Sequence, residues 1–342
     1  MASIKKQVVI VSPALADANN GNWQTARRWQ KFLQSPTASH PGFQARIVTQ
    51  WPDGPAAAQD SGMVALHARR SATSVLAWAQ SRGAAFDRQP VPGLAVVLTG
   101  TDLYRDIQTD PQAQRSLQWA QRLVVLQALG LAVLPVALQP RAQVIFQSTP
   151  ARQSLPKSAR FLKAVMVGHL REEKSPQTLF AAARLIQKQE AIRLDHIGAP
   201  LDAALAALAQ ATAAACPGYR WLGALPHEAT RRRIQRAHVL VHTSRMEGGA
   251  HVVMEAVRSG TPVLASRIDG NVGMLGVDYA GYFDWNHAGQ LVDLLRRCHF
   301  EPAFFAQLQS QCAARAPLFA PATERLAVQQ LVTELTAAQP PV

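Results

Sequence analysis

The stretch "SRMEGGAHVVMEAVRSGTPVLAS", Ser244–Ser266, decides how the surrounding chain folds. It follows the apolar run "HVLVHTS" (238–244), which reads as a buried strand. "RMEGG" is the turn, and "AHVVMEAVRS" is a helix. Gly260 suits the left-handed position that ends a helix. Pro262 cannot continue the helix, and "PVLAS" (262–266) begins the next strand. The result is a strand–loop–helix–strand unit with a glycine-rich loop at a helix N-terminus. Free backbone N–H groups and the helix dipole make such a terminus an anion site. Gly248 and Gly249 allow a phosphate close to the backbone. Glu247 and Glu255 stand eight positions apart, on the order of 12 Å if the whole span were helical. That exceeds the roughly 5 Å between the paired carboxylates of a retaining glycosidase. One extended ligand touched at two places fits better, with hydroxyls for the carboxylates and phosphates between. A nucleotide-sugar has that layout.

The same alternation extends in both directions. Strands are expected at 7–13, 44–51, 94–100, 122–127 and 142–148, with helices at 23–34, 63–83 and 110–121. Continuous apolar strands separated by helices imply a parallel sheet covered on both faces. "STPARQSLPKSAR" (148–160) reads as a linker. A second alternation follows: strands at 162–170, 193–198, 219–225 and 238–244, with helices near 176–188, 201–214 and 227–236. The expected division is residues 1–150, a linker at 150–158 and a second domain at 158–316, with helix 318–342 packing back on the first. Two doubly wound α/β domains would face each other across a cleft, since open parallel sheets bind ligands at the carboxyl ends of their strands.

Composition bounds the function. The chain has 342 residues and a net charge of +13, a balance that suits nucleic acid, a membrane surface or small polyanions. "RRRIQR" (231–236) reads as the solvated face of a helix. No aromatic residues interleave with it as a nucleic-acid platform requires. The three cysteines are scattered and odd in number, which argues for a reducing compartment. The start, "MASIKKQVVIVSPAL", reads as a first strand rather than a secretory signal. The longest apolar run, 123–138, contains Gln127 and Pro135 and is shorter than the ~20 residues that span a bilayer. A cytoplasmic location and no stable membrane insertion are expected. His238, His242 and His251 have no carboxylate or cysteine at ligand spacing, so no metal is expected.

"MEGGAHVVMEAVRSGTPVLAS" resembles the E-x7-E signature of family-4-type glycosyltransferases, whose fold is GT-B. The resemblance implies that Glu255 binds the donor's ribose. It also implies that Glu247, with Gly248, Gly249 and Ala250, faces the transferred sugar and its leaving group. The family carries an arginine and a lysine after the first strand of this domain, which neutralise the departing diphosphate. "VGHLREEKSP" supplies Lys174 as the lysine; His169 stands where the arginine is usual, and Arg171 follows.

Four segments together resemble the selenosugar synthases of selenoneine biosynthesis: 12–29, 98–107, 244–256 and 266–283. This resemblance spans nearly the whole chain. It implies transfer of N-acetylglucosamine or glucose from a UDP-sugar to selenophosphate, forming a carbon–selenium bond, with release of UDP and phosphate. No cofactor is implied beyond the UDP-sugar as co-substrate.

On the acceptor side, "NNGNWQTARRW" follows the first strand and opens a helix. It places Asn19, Asn20, Gly21 and Asn22 at a second anion-binding terminus, with Thr25, Arg27 and Arg28 in the first turns. Gly21 is expected beside the donor; Asn20, Asn22, Thr25 and Arg28 are expected at the acceptor. Thr101 and Asp102 sit at another strand's carboxyl edge as acceptor contacts, and Asp102 could equally cap a helix. Asn271 in "DGNVG" (269–273) is expected near the sugar or in a plain turn. Two other readings remain at this point: a transferase of the same fold with an oxygen acceptor, and a basic nucleic-acid-binding module.

Overall fold

The computed structural model describes residues 5–14, 21–36, 42–83 and 90–337. It divides into two compact units, residues 1–147 with 321–342, and residues 148–320.

The first unit is a parallel sheet of six strands in the order β2-β1-β3-β4-β5-β6. They are β1 Gln7–Val11, β2 Gln44–Val48, β3 Asp60–Leu66, β4 Val91–Leu98, β5 Ala120–Val125 and β6 Ala142–Val144. Successive β1 residues enter opposite apolar layers. Val9 and Val11 pack with Trp51, Trp78 and Trp119. Val8 and Ile10 pack with Trp29, Leu33, Val328 and Leu331. This period of two, buried on both faces, is why the strands read as unbroken apolar runs. The helices are α1 Gly21–Gln34, α2 Ala72–Ser81, α3 Ile107–Thr109, α4 Pro111–Trp119 and α5 Gly130–Val133, and α13 Pro321–Thr336 returns from the chain's end to pack on α1.

Two features depart from expectation here. Residues 63–83 were expected as one helix, but their first part is β3, the central strand beside β1 and β4. His67 then takes a left-handed conformation (φ 76°) that turns the chain into α2. Asp102–Asp106 form a π-helical turn, leading into α3.

The second unit is also parallel and six-stranded, in the order β12-β11-β10-β7-β8-β9. Its strands are β7 Leu162–Val167, β8 Ile192–Ile197, β9 Tyr219–Trp221, β10 Val239–His242, β11 Val263–Ser266 and β12 Tyr282–Phe283. Its helices are α6 Pro176–Leu185, α7 Ala203–Ala215, α8 His227–Arg236, α9 His251–Val257, α10 Asp269–Leu275, α11 Ala288–Phe300 and α12 Pro302–Arg315. Gly260 has φ 68°, the left-handed conformation expected where α9 ends. "DGNVG" is not a turn but the start of α10.

The segment 150–158 lies against this second unit. Arg152 N–H donates to Arg258 O at 2.9 Å, Arg152 pairs with Glu228 at 2.6 Å, and Lys157 Nζ donates to Ala237 O. Among the described residues, no helix is long and apolar enough to cross a membrane.

Candidate active site

The carboxyl ends of β7 and β10 bring Lys174 and Glu247 together. Lys174 lies in a short turn between β7 and α6; Glu247 lies in the loop between β10 and α9. The two segments are joined through their backbones. Thr243 Oγ1 donates to Lys174 O at 2.7 Å, and Arg245 N–H donates to Glu173 O at 3.0 Å. Arg245 also pairs with Glu172 at 2.8 Å. So fixed, Lys174 Nζ donates to Glu247 Oε1 at 2.5 Å, and His242 Nε2 lies 3.5 Å from the same oxygen. Burial opposes ionisation of Glu247, but Lys174 and His242 outweigh it and hold the carboxyl well below the usual carboxylate range. His242 is thus a carboxylate neighbour that spacing along the chain did not reveal.

His169 and Arg171 lie on the same β7–α6 loop, and both are exposed. His169 Nδ1 accepts from Ala199 N–H at 3.0 Å. Desolvation, with Arg171 and Lys174 nearby, pushes its pKa down. A neutral imidazole with Nδ1 as acceptor carries its proton on Nε2, so His169 presents a neutral donor while Arg171 presents a charge.

Glu255 sits on α9, away from the Lys174 pair, and has partners of its own. His227 Nε2, at the start of α8, lies 2.6 Å from Glu255 Oε1, and Arg231 Nε lies 3.9 Å from it. Glu255 and Arg231 are both buried. Arg231 NH2 donates to Pro150 O at 3.1 Å, while its Nε makes no hydrogen bond. "RRRIQR" is therefore not a wholly solvated face. Arg232 and Arg236 are exposed, but Arg231 and Gln235 are buried. Neither His227 nor Arg231 was singled out from the sequence. Their signal was the i, i+4 spacing on one face of a helix, which only the fold directs at Glu255.

The loop between the two glutamates is tightly seated. Gly248 is buried and Gly249 half-buried. Ala250 N–H donates to Met274 Sδ at 3.2 Å, which occupies that amide. Gly270 faces the backbone of Glu247: a Cβ there would lie 2.1 Å from Glu247 O. Asn271 is fully buried, and its Nδ2 donates to Ser266 O at 2.9 Å. It therefore braces the end of β11 rather than projecting into solvent.

In the first unit, Asn19 and Asn20 lie outside the described residues. Gly21 opens α1, exposed, and a Cβ there would meet nothing within 4 Å. Asn22 is half-buried. Thr25 is buried, with its hydroxyl donating to Gly21 O at 2.8 Å and accepting from Gln147 Nε2. Arg28 grips Glu324 of α13 with Nε at 2.7 Å and NH2 at 3.0 Å. Thr25 and Arg28, expected at the acceptor, thus spend their polar groups inside the unit.

Thr101 is half-buried, while Asp102 belongs to a denser network. Asp102 Oδ2 accepts from Ala68 N–H at 2.7 Å, and Oδ1 lies 3.1 Å from His67 Nδ1. His67 Nε2 lies 3.7 Å from Asp106 Oδ2, and Asp106 also pairs with Arg69 at 3.2 Å and Arg105 at 3.1 Å. Among the described residues, His67, Asp102 and Asp106 are the group whose potential metal-ligand atoms lie within 4.8 Å of one another. The turn's amides and two guanidinium groups already supply donors and counter-charge there. These residues form a charged network in which Asp106 Oδ2 is ion-paired with Arg69 but makes no hydrogen bond. His67 was hidden by the reading of 63–83 as a helix.

Residues 147–299 match the family model described as Glycosyl transferases group 1. The whole chain has the GT-B fold. It resembles sucrose-phosphate synthase from Thermosynechococcus elongatus at TM-score 0.74 and 19% identity, covering 98% of this chain and 100% of that one. It resembles HepE from Anabaena, solved with UDP and glucose, at TM-score 0.70 and 14% identity, covering 96% and 98%. It resembles the pneumococcal O-GlcNAc transferase GtfA, solved with UDP and GlcNAc, at TM-score 0.59 and 14% identity, covering 81% and 57%.

Proposed function

We propose that this chain is a glycosyltransferase that takes its sugar from a UDP-sugar and transfers it to selenophosphate. The observation that carries the transferase reading is the Lys174–Glu247 pair, 2.5 Å apart, whose glutamate lies in the loop that leads into the helix bearing Glu255. The UDP seen in HepE and in GtfA supports the same donor class.

In this reading Glu255 accepts from the ribose hydroxyls, held in place by His227 and Arg231. Lys174 and Arg171 attract the diphosphate, and His169 donates to it. As the anomeric C–O bond breaks, UDP leaves with the electron pair. Negative charge then grows where Lys174 already stands, so the site needs little reorganisation. Glu247, kept anionic, orients Lys174 and accepts from the sugar's hydroxyls.

Selenium in selenophosphate is already anionic and soft, so no general base is needed. It forms the new bond to the anomeric carbon, and water then takes the phosphoryl group from selenium as phosphate. N-acetylglucosamine and glucose are the sugars proposed. Lys174, Arg171 and His169 supply the polar groups a metal would otherwise provide, so EDTA should leave turnover unchanged. We place the protein in the cytoplasm, with no nucleic-acid partner.

The test incubates the protein with UDP-N-acetylglucosamine or UDP-glucose, with and without selenophosphate. UDP release should require selenophosphate and yield a product with a carbon–selenium bond. Release that ignores selenophosphate but follows an added sugar alcohol would redirect the acceptor to oxygen.

A further inference from the structure

The second unit has a cavity of about 820 Å³ at the opposite edge of its sheet from the candidate active site. It is lined by residues at or just before the starts of β7, β8 and β9 and by the ends of α6 and α7. A strand of β7's length puts about 20 Å between the two edges. Four of the lining residues are cations: Arg160, Arg184, Lys188 and Arg193. No acidic residue lines the cavity.

Elsewhere in this unit the cations are largely paired. Arg152 holds Glu228, Arg220 holds Asp195, Arg245 holds Glu172, and Arg296 holds Glu190. The acids nearest in sequence to the cavity, Glu190 and Asp195, are thus occupied elsewhere. Among the described residues, none of the four cavity cations has a carboxylate partner. Arg184 donates only to Thr212 Oγ1, at 3.3 Å, and Arg193 lies over the Phe161 ring at 4.1 Å.

One ordinary explanation is that these cations offset helix dipoles, because α6 and α7 end here. Each helix C-terminus is worth about half a negative charge, so two contribute roughly one unit. Four cations exceed that by roughly three units, far more than the dipoles require. Like charges gathered in a concave site repel one another and concentrate anions from solution.

We propose that this cavity is a second anion site, which takes a small soluble ligand bearing two or more phosphate-like charges. Its volume lies within the ~300–1,000 Å³ of small-molecule sites. The Phe161 face is covered by Arg193, so it offers no open platform on which nucleic-acid bases could stack. The proposal does not depend on the transfer reaction.

Titration calorimetry with inorganic tripolyphosphate tests it, on protein saturated with UDP so that the donor site is filled. Wild type should bind one equivalent. The Arg184→Ser, Arg193→Ser double variant should bind about tenfold more weakly or worse, the loss expected from about one charge-assisted hydrogen bond. All the substituted side chains are exposed, and unchanged UDP affinity of the variant verifies the fold. Equal affinity in wild type and variant would overturn the site, as would tripolyphosphate binding that disappears whenever UDP is present. Vesicles containing phosphatidylglycerol form the last arm. Binding to them, without any to tripolyphosphate, would replace the small ligand with a lipid surface.

Discussion

Lys174 Nζ and Glu247 Oε1 lie 2.5 Å apart, although 73 residues of chain separate them. Both side chains are mostly shielded from water, so each is the other's main compensation. Removing one partner leaves a shielded charge exposed to its own desolvation, typically about 3 kcal/mol or more. Lys174→Met should therefore lower the melting temperature, and Lys174→Met with Glu247→Gln should recover part of the loss. Turnover of the UDP-sugar should fall roughly 100- to 1,000-fold in Lys174→Met, the usual effect of removing one group that stabilises a leaving charge. A melting curve and a UDP-release assay on wild type and the two variants check this. Equal activity in Lys174→Met would remove the lysine from the reaction.

Glu255 should behave differently, because it is proposed to bind rather than to assist departure. Glu255→Ala should weaken UDP about tenfold or more, the loss of one or two charged hydrogen bonds. His227→Ala should weaken it less, since Arg231 still faces the carboxylate at 3.9 Å. Calorimetry with UDP alone separates binding from chemistry. A Glu255→Ala variant that binds UDP as tightly as wild type would end the ribose assignment.

The His227–Glu255 contact also predicts a pH dependence. The hydrogen bond to Glu255, helped by its charge and opposed by burial, by Arg231 and by Arg152, raises the His227 pKa above its ordinary 6.5. A group whose folded pKa is raised stabilises the fold fully below its unfolded pKa, and the gain is lost as pH rises through the folded value. Wild type should therefore lose melting temperature above about pH 6.5 by more than His227→Gln does. The half-exposed ring makes the effect small. Parallel curves for the two proteins across that window would discard the linkage.

Local pattern carried the second unit well and the first less well. The 244–266 stretch read correctly as strand, loop, helix and strand because Gly260 and Pro262 punctuate it chemically. β3 was lost because "MVAL" is apolar on both faces and is followed, after only "HARR", by "SATSVLAWAQSRG", whose helical character covers it. Periodicity cannot separate a short buried strand from a buried helix. The site was legible where contacts are local to a motif. It was not legible where the fold joins distant segments, His227 with Glu255 and Asp102 with the turn at His67, or where a strand's last side chain meets the loop that follows it, His242 with Glu247. Arg28 shows the same limit in reverse, because an arginine in the middle of α1 looks free until a carboxylate 296 residues away is folded onto it.

That carboxylate, Glu324, carries the fourth prediction. It is fully buried and accepts from Arg28 Nε, from Arg28 NH2 and from Trp29 Nε1 at 2.6 Å. Glu324→Ala would strand a guanidinium and an indole N–H, at a cost of about 3–5 kcal/mol. Thermal unfolding should show a large drop, while UDP affinity at low temperature should hold, because the second unit is untouched. Arg28→Ala should likewise act on stability. A change confined to the acceptor's KM would instead return Arg28 to substrate binding.

Gly270 supplies the strictest geometric test. It lies at the start of α10, and a Cβ placed on it would come within 2.1 Å of Glu247 O and 2.8 Å of Glu247 C. Both are backbone atoms, so no side-chain rotation relieves the clash. Gly270→Ala must push the 247 loop away or displace α10. Asn271, next in the chain, is anchored to Ser266 by a 2.9 Å hydrogen bond, and Ser266 Oγ in turn donates to Ser244 O at 2.5 Å. That anchoring leaves the loop as the part that yields. Glu247 would then move relative to Lys174, whose turn is held by Thr243 and Arg245 at the start of the same loop. Overpacking of this kind typically costs ~1–3 kcal/mol. A displacement near 1 Å at a reacting centre can lower turnover on the order of 100-fold. Gly270→Ala should therefore lose turnover while still binding UDP through Glu255, on the neighbouring helix. Full turnover in a folded Gly270→Ala protein would show that the position of Glu247 does not matter to the reaction.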